Sequence, residues 1–277
     1  MEKHSGTRQI TIEAGKALAK PLEIALSGDR SEVEVRIGKG AEATIFDTST
    51  SAVHLVSVVL EPGSKLTYIS LSIGSTRRLK STVGSGATMH WHCTTIGGSD
   101  DSHELVSTCI GSNATSTIDW IFSATKKERQ SVTVRNIFDA PDGGGEITLK
   151  GVAEQKAFVT CNGMIEITEK GRGTNTYLTE DVLMLDATAH TDAVPALEIR
   201  TNDVKASHSA TVSRVTAENL FYLQSRGIDE ASARRMFVEG FLGALTERIR
   251  NRIVRREVLD ALGNLHADVA SNVNERT

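Results

Sequence analysis

The sequence predicts a parallel β-solenoid followed by a short helical segment. Three observations carry that fold class. Short runs of alternating apolar and polar residues fill the chain up to Thr216, as half-buried strands require. A loose repeat recurs with a period in the low twenties, the mark of stacked units that cannot bury their own apolar faces. Only 4% of the 277 residues are aromatic, and stacked inner faces favour aliphatic ladders. An ordinary β-sandwich with regularly spaced turns is the alternative.

Strand-like runs begin with Ile10-Thr11-Ile12 and Leu22-Glu23-Ile24. In Glu32-Val33-Glu34-Val35-Arg36-Ile37 the apolar side chains share one face, and Ser131-Val132-Thr133-Val134-Arg135 repeats the alternation. His54-Leu55-Val56-Ser57-Val58-Val59-Leu60 is more continuously apolar, as in a strand covered on both sides. The repeat aligns Gly40-Ala41-Glu42-Ala43-Thr44-Ile45 with runs starting at Gly63, Gly86 and Gly111, spaced 23, 23 and 25 residues apart. Each Gly marks a bend. Gly143-Gly144-Gly145, after Pro141-Asp142, reads as another turn.

After Thr216 the period changes. Thr216 is an N-cap with Glu218 in the first turn, and Gly227 suits the helix C-cap. Asp229 caps a second helix, in which Ala233, Met236, Phe237, Gly240, Phe241, Ala244 and Leu245 recur at helical spacing. Val258, Leu259 and Leu262 belong to a third. Arg248, Arg250, Arg252, Arg255 and Arg256 read as a solvated face. The expected division is a lead-in over 1–7, a solenoid over 8–215 and a helical unit over 216–277.

Composition excludes several function classes. The net charge of -4 argues against a nucleic-acid binder, which needs a basic face. No apolar run approaches the ~18 residues of a membrane helix. The N-terminus leads into no apolar core of a secretory signal. The three cysteines, Cys93, Cys109 and Cys161, form neither a Cys-x-x-Cys motif nor an even set, so a disulfide framework and a closed four-cysteine zinc site are not expected. A cytoplasmic location follows as the expectation.

Enzyme signatures are weak: GxSxG, HExxH and Walker-type loops are absent. His90-Trp91-His92-Cys93 is the densest group of metal-ligand residue types. On a strand His90 and His92 share a face and Cys93 points away. With a third ligand such as His103 they would hold a metal; packed strand histidines are the alternative. A polysaccharide-cleaving solenoid needs clustered carboxylates and stacking aromatics. Asp100-Asp101, in a Gly-Ser loop, is the acidic pair that such a carbohydrate-active enzyme would use.

The segment from 195 to 241 has a more specific content. Pro195-Ala196-Leu197-Glu198-Ile199, the run from Asn202 through Lys205-Ala206-Ser207-His208 to Val212, and Asn219-Leu220-Phe221-Tyr222-Leu223-Gln224-Ser225-Arg226-Gly227-Ile228 are ordered motifs. With Ala233-Arg234 and Gly240-Phe241 they strongly resemble the SufB/SufD family of iron–sulfur cluster assembly scaffolds. The resemblance is sharp over the last third of the chain and diffuse before it. It implies a right-handed parallel β-helix with a small helical domain that docks the ATPase SufC. It also implies pairing of two β-helix subunits through their C-terminal strands. No tightly bound cofactor is implied, only a transient iron–sulfur cluster in the complex. This chain is then a non-catalytic scaffold, partnered by a SufC-like ATPase and by a second copy of itself or a SufB-type subunit. A structural homodimer that ligates no iron is a further reading.

Site residues carry over by motif. His208 occupies the histidine position that contributes to cluster assembly in SufD-type members. Glu180, in Glu180-Asp181-Val182-Leu183, stands where SufB-type members have a cysteine. Cys109 lies near the region where those members accept sulfur. Ala206 and Ser209 depart from the family's cysteine and glutamate. Thiolates are the usual cluster ligands, so oxygen and nitrogen donors are what this chain offers there. The resemblance implies a compact form without the N-terminal helical region of larger members. In the helical unit Phe221, Tyr222, Phe237 and Phe241 are expected to form core or partner contacts. Arg226 and Gly227 are expected to shape the ATPase-facing surface.

Overall fold

The structure is a computed structural model that describes residues 6–273, with side chains described from 7 to 263. Within them the chain forms seventeen strands and then three helices. The first six strands are β1 (Gly6–Ile12), β2 (Leu22–Ile24), β3 (Arg30–Ile37), β4 (Glu42–Asp47), β5 (Val53–Leu60) and β6 (Lys65–Ile73). The next six are β7 (Thr76–Val83), β8 (Thr88–Ile96), β9 (Asp100–Cys109), β10 (Thr115–Ala124), β11 (Arg129–Phe138) and β12 (Gly144–Ala153). The last five are β13 (Phe158–Ile167), β14 (Asn175–Met184), β15 (His190–Ala193), β16 (Ala196–Ile199) and β17 (Lys205–Arg214). The helices are α1 (Ala217–Gln224), α2 (Glu230–Thr246) and α3 (Arg252–Val273).

Successive strands alternate between two sheets. The nine-stranded sheet runs β1-β3-β5-β7-β9-β11-β13-β15, with β16 also on β13; the eight-stranded sheet runs β17-β14-β12-β10-β8-β6-β4-β2. The named pairings are parallel. Each rung contributes one strand to each sheet, which is a parallel β-helix and excludes the antiparallel sandwich. The expected runs fall in β1, β2, β3, β5 and β11. The first strand begins at Gly6, inside the expected lead-in, of which residues 1–5 lie outside the described residues.

The repeat needs one correction of register. Lys65 pairs with Thr88, 23 residues on, but Thr88 pairs with Thr115, 27 on. Gly111 is therefore not the counterpart of Gly86. Gly40, Gly63 and Gly86 sit at φ of 64°, 70° and 61°, and in the next turn Asn113 takes that place at 56°. Asn tolerates this left-handed region better than other non-glycine residues. The amides of Gly40, Gly63, Gly86 and Asn113 each donate to a carbonyl in the next rung's turn, those of Pro62, Ser85, Ser112 and Pro141. Further on the rungs lengthen to 29 and then 31 residues, as Thr115 pairs with Gly144 and Gly144 with Asn175. Part of the increase lengthens the strands, from eight or nine residues in β6, β7 and β8 to ten in β9 to β14, and the rest enters the turns.

Between the sheets lies an aliphatic core of stacked columns, such as Val33, Val56 and Leu79, with Trp91 and Trp120 among its largest members. The interior also holds a polar cluster in the early rungs. Asp47 accepts from the Tyr68 hydroxyl at 2.6 Å and the Ser49 amide at 2.9 Å, and its Oδ2 lies 2.7 Å from His54 Nε2. His54 Nδ1 lies 2.6 Å from Ser31 Oγ. This Ser–His–Asp connectivity is that of a hydrolytic triad, but each member is no more than 2% exposed, so it has no access to substrate. Arg77, also fully buried, donates Nη2 to the Ser49 and Leu71 carbonyls. Burial pushes the Asp47 carboxyl up, but the hydrogen bond and charge of His54, then Arg77 and Ser49, outweigh it and hold it well below the usual range.

The helices do not stand apart from the solenoid. A second core joins Phe46, Ile69, Ile121, Val152 and Leu183 on the outer face of the eight-stranded sheet to Val238, Leu242, Leu245, Val254 and Val258 of α2 and α3. Thr216 caps α1 in a capping box with Asn219, and Asp229 caps α2 through the Ser232 amide. Gly227 follows α1 at φ 83°. No described helix is long and apolar enough to cross a membrane.

Candidate functional site at the last rung

The eight-stranded sheet ends on β17. Its inner edge pairs with β14 over ten positions, and no described strand pairs with its other edge. Along β17 most side chains are exposed, because no further rung covers them. His208 lies opposite the interior residue Leu178, and Ala210 opposite Glu180. Positions two apart share a face of a strand. His208 therefore projects on the interior side of the open rung, exposed, one step along from Glu180.

Glu180 itself is fully buried. It accepts a short hydrogen bond from the Gly163 amide, and Cys161 Sγ lies 3.9 Å from its other oxygen. A Cβ at Gly163 would come within 2.9 Å of that carboxylate and 2.5 Å of Leu178, so only glycine lets the carboxylate reach the backbone. Burial, only partly offset by the Gly163 amide and the Cys161 thiol, pushes Glu180 up to about 7. Burial and then the Glu180 charge push the Cys161 thiol well above its ordinary value. The structure thus joins Glu180 of β14 to a thiol from the opposite sheet. The two are 19 residues apart, and nothing local signals the contact.

Cys109 is elsewhere. It ends β9, fully buried, opposite Val83 and Phe138, and burial pushes its thiol up to about 12. No contact links it to Glu180 or His208.

In the helical unit Phe221 and Tyr222 are 68% and 58% exposed, and Arg226 stacks over the Tyr222 ring at 5.2 Å. Phe237 and Phe241 are partly buried against the sheet–helix core, with Lys150 Nζ 4.6 Å above the Phe241 ring. Exposed aromatics on α1 and half-buried ones on α2 therefore do different work. The arginines are not one solvated face either. Arg248 turns back and donates to Asp119 at 2.7 Å.

The histidine run falls on β8 as expected, with His90 and His92 on the outer face and Cys93 inside. His103 does not join them. It lies inside the solenoid near Trp120, with Nδ1 accepting from the Arg77 amide. Asp119 of β10 joins them instead, an acid that an apolar run, Ile118 to Phe122, conceals in the sequence. Burial, then the charge of His90, lowers His92 to about 3.

A saccharide groove is not formed at the acidic pair. Asp100 and Asp101 open β9, and burial with the Asp100 charge raises Asp101. The exposed aromatics among the described residues are Tyr177, Phe221 and Tyr222, none of them on β9. A depression of about 500 Å3 on the same nine-stranded sheet is lined by Leu55, Arg78, Lys80, Glu104 and neighbours, without an aromatic.

A two-sheet parallel solenoid ending in an open strand, with helices folded on one face, defines a class of parallel β-helix with a docked helical unit. Within that class, the family described as SUF system FeS cluster assembly, SufBD core domain, matches residues 20–241, and the chain belongs to it. The iron-sulfur cluster assembly protein SufB of Bacillus subtilis is 26% identical over 244 residues, covering 84% of this chain and 52% of that protein. The corresponding SufD of Escherichia coli is 26% identical over 278 residues, covering 92% and 65%. A SufBD family protein of Mycobacterium bovis is 25% identical over 80% of this chain and 28% of its own length. The chain thus spans between 28% and 65% of these relatives.

Proposed function

We propose that this chain is a non-catalytic scaffold subunit of a SUF-type iron–sulfur cluster assembly complex in the cytoplasm. The observation that carries the reading is β17. A ten-residue strand with one edge unpaired is a template for another chain, and it brings His208 beside the buried Glu180. A second β-helix subunit, either a copy of this chain or a SufB-type protein, pairs there. Isologous pairing of two copies needs only this one surface.

The cluster is cargo rather than a resident cofactor. Imidazole and carboxylate bind iron, and with Cys161 behind Glu180 the last rung offers one ligand of each kind. Iron binding there requires Glu180 to turn outward or the rung to open, since the carboxylate is buried. A SufC-like ATPase supplies the work of opening, docking on α1 and the turn at Arg226-Gly227 through Phe221 and Tyr222. Exposed Tyr and Phe beside an Arg are the usual anchors of a protein interface. ATP hydrolysis belongs to that partner.

Co-purification with the ATPase under reducing conditions tests the docking, and absence of a complex would sink it. Anaerobic reconstitution of the wild type, Glu180→Ala and His208→Ala with the ATPase tests the ligands. Lower cluster content in both variants is expected. Equal content in all three removes both residues from the mechanism and favours the structural homodimer.

A further inference from the structure

A second group of donor atoms lies away from the last rung, where the helices meet the eight-stranded sheet. His90 and His92 leave the outer face of β8, and Asp119 stands opposite His92 on β10. One oxygen of Asp119, Oδ2, is 2.8 Å from His90 Nε2 and 3.3 Å from His92 Nδ1. The two imidazole rings lie 3.8 Å apart. His92 and Asp119 are 4% and 2% exposed, while His90 is 27% exposed.

We propose that His90 Nε2, His92 Nδ1 and Asp119 Oδ2 form a binding site for a divalent transition-metal ion of the ferrous, cobaltous or zinc class. Two neutral imidazoles and one carboxylate are a donor set for that class, and with open positions they match the arrangement that holds non-haem ferrous iron. The spacing fits. Donor atoms about 2.0–2.1 Å from one ion lie roughly 3–3.4 Å from one another. The His92–Asp119 pair is already there, and His90 needs to retreat by only a few tenths of an ångström.

The carboxylate is also held as a ligand would be. Its second oxygen, Oδ1, accepts from Arg248 Nη1 at 2.7 Å, and the same nitrogen lies 3.5 Å from Thr148 Oγ1. A ligand carboxylate fixed by an outer donor in this way is oriented for one-oxygen coordination. Arg248 bonds to Oδ1 and not to Oδ2, the oxygen that the two histidines share. The partly exposed His90 side is the entry path and leaves room for water ligands. Because Arg248 follows α2, the ion would tie the helical unit to the solenoid. The site is separate from the last rung and does not depend on the function proposed above.

The test is a Co(II) titration of the full chain, stripped with chelator and kept anaerobic, read by the visible absorption of the bound ion and by competition with Zn(II). One saturable equivalent at micromolar or lower concentration is expected. At least a tenfold loss is expected in Asp119→Asn and in His90→Gln. His90 is the more exposed ligand, so that variant keeps the fold if the first does not. The His190→Gln variant, at an exposed histidine of β15, is expected to bind as the wild type does. No saturable equivalent overturns the proposal, as does unchanged binding in His90→Gln or loss of binding in His190→Gln alone.

Discussion

In the early rungs the buried carboxylate of Asp47 has a hydroxyl, an imidazole and an amide against it, with the Arg77 guanidinium nearby. In the last full rung the buried carboxylate of Glu180 has one amide and a thiol. Both lie inside the same solenoid at negligible exposure, and their acidities move in opposite directions. A buried charge is tolerable when partners replace its hydration. Asp47 has them and is charged; Glu180 lacks them and holds its proton near neutrality. The first cluster is closed on both sides by rungs and serves the fold. The second is one strand from an open edge, where a partner or an iron ion could complete it.

The largest expected effect breaks the first cluster. Asp47→Ala leaves His54, Tyr68 and the buried Arg77 without their anion, and removing one partner of a buried charged pair costs about 3–5 kcal/mol. Chemical denaturation should show that loss. A cost below ~1 kcal/mol would mean that water reaches this interior.

Glu180→Gln should act in the opposite sense. The folded-state value of about 7 lies above the ordinary 4.5, so between those limits the folded chain binds more protons than the unfolded one. Stability therefore falls as pH rises from about 4.5 to 7, by on the order of 2–3 kcal/mol. The Gln variant lacks this loss. It should be more stable than the wild type at pH 8 and nearly equal at pH 4.5. Identical pH profiles would place Glu180 with Asp47 as a satisfied structural group.

A smaller effect separates the helical junction from the interior. Arg248 is 41% exposed at its ion pair with Asp119, so Arg248→Ala should cost only about 1 kcal/mol, measured by thermal melting in the absence of metal.

The thiols sharpen the comparison without changing stability. With Cys109 near 12, about one molecule in 10,000 carries the thiolate at pH 8. All three cysteines are buried, so a disulfide reagent should label none in the native chain and three after denaturation. If one reacts natively, Cys161 at the last rung should be first. The smallest effect is that of Phe221→Ala. Its side chain is largely in solvent, so stability should move by less than ~0.5 kcal/mol, while capture of the ATPase weakens.

The period-2 alternation of Glu32 to Ile37 or Ser131 to Arg135 is a local property, because side chains of one strand point alternately to its two faces. It was enough to place β1, β2, β3, β5 and β11, and the switch to a 3.6 period after Thr216, with its capping residues, was enough to place the helices. The family motifs pointed to Glu180 and His208 for the same reason, since they are contiguous. The register was less legible. Asn113 does a glycine's work at φ 56°, and the misleading Gly111 shifted the fourth unit by two residues. Contacts between sheets and between units were not legible at all. Cys161 meets Glu180 across the interior, and Asp119 meets Arg248 over 129 residues. Local periodicity says which face a side chain takes; only the stacking of rungs and the docking of helices decide which side chain from elsewhere it meets there.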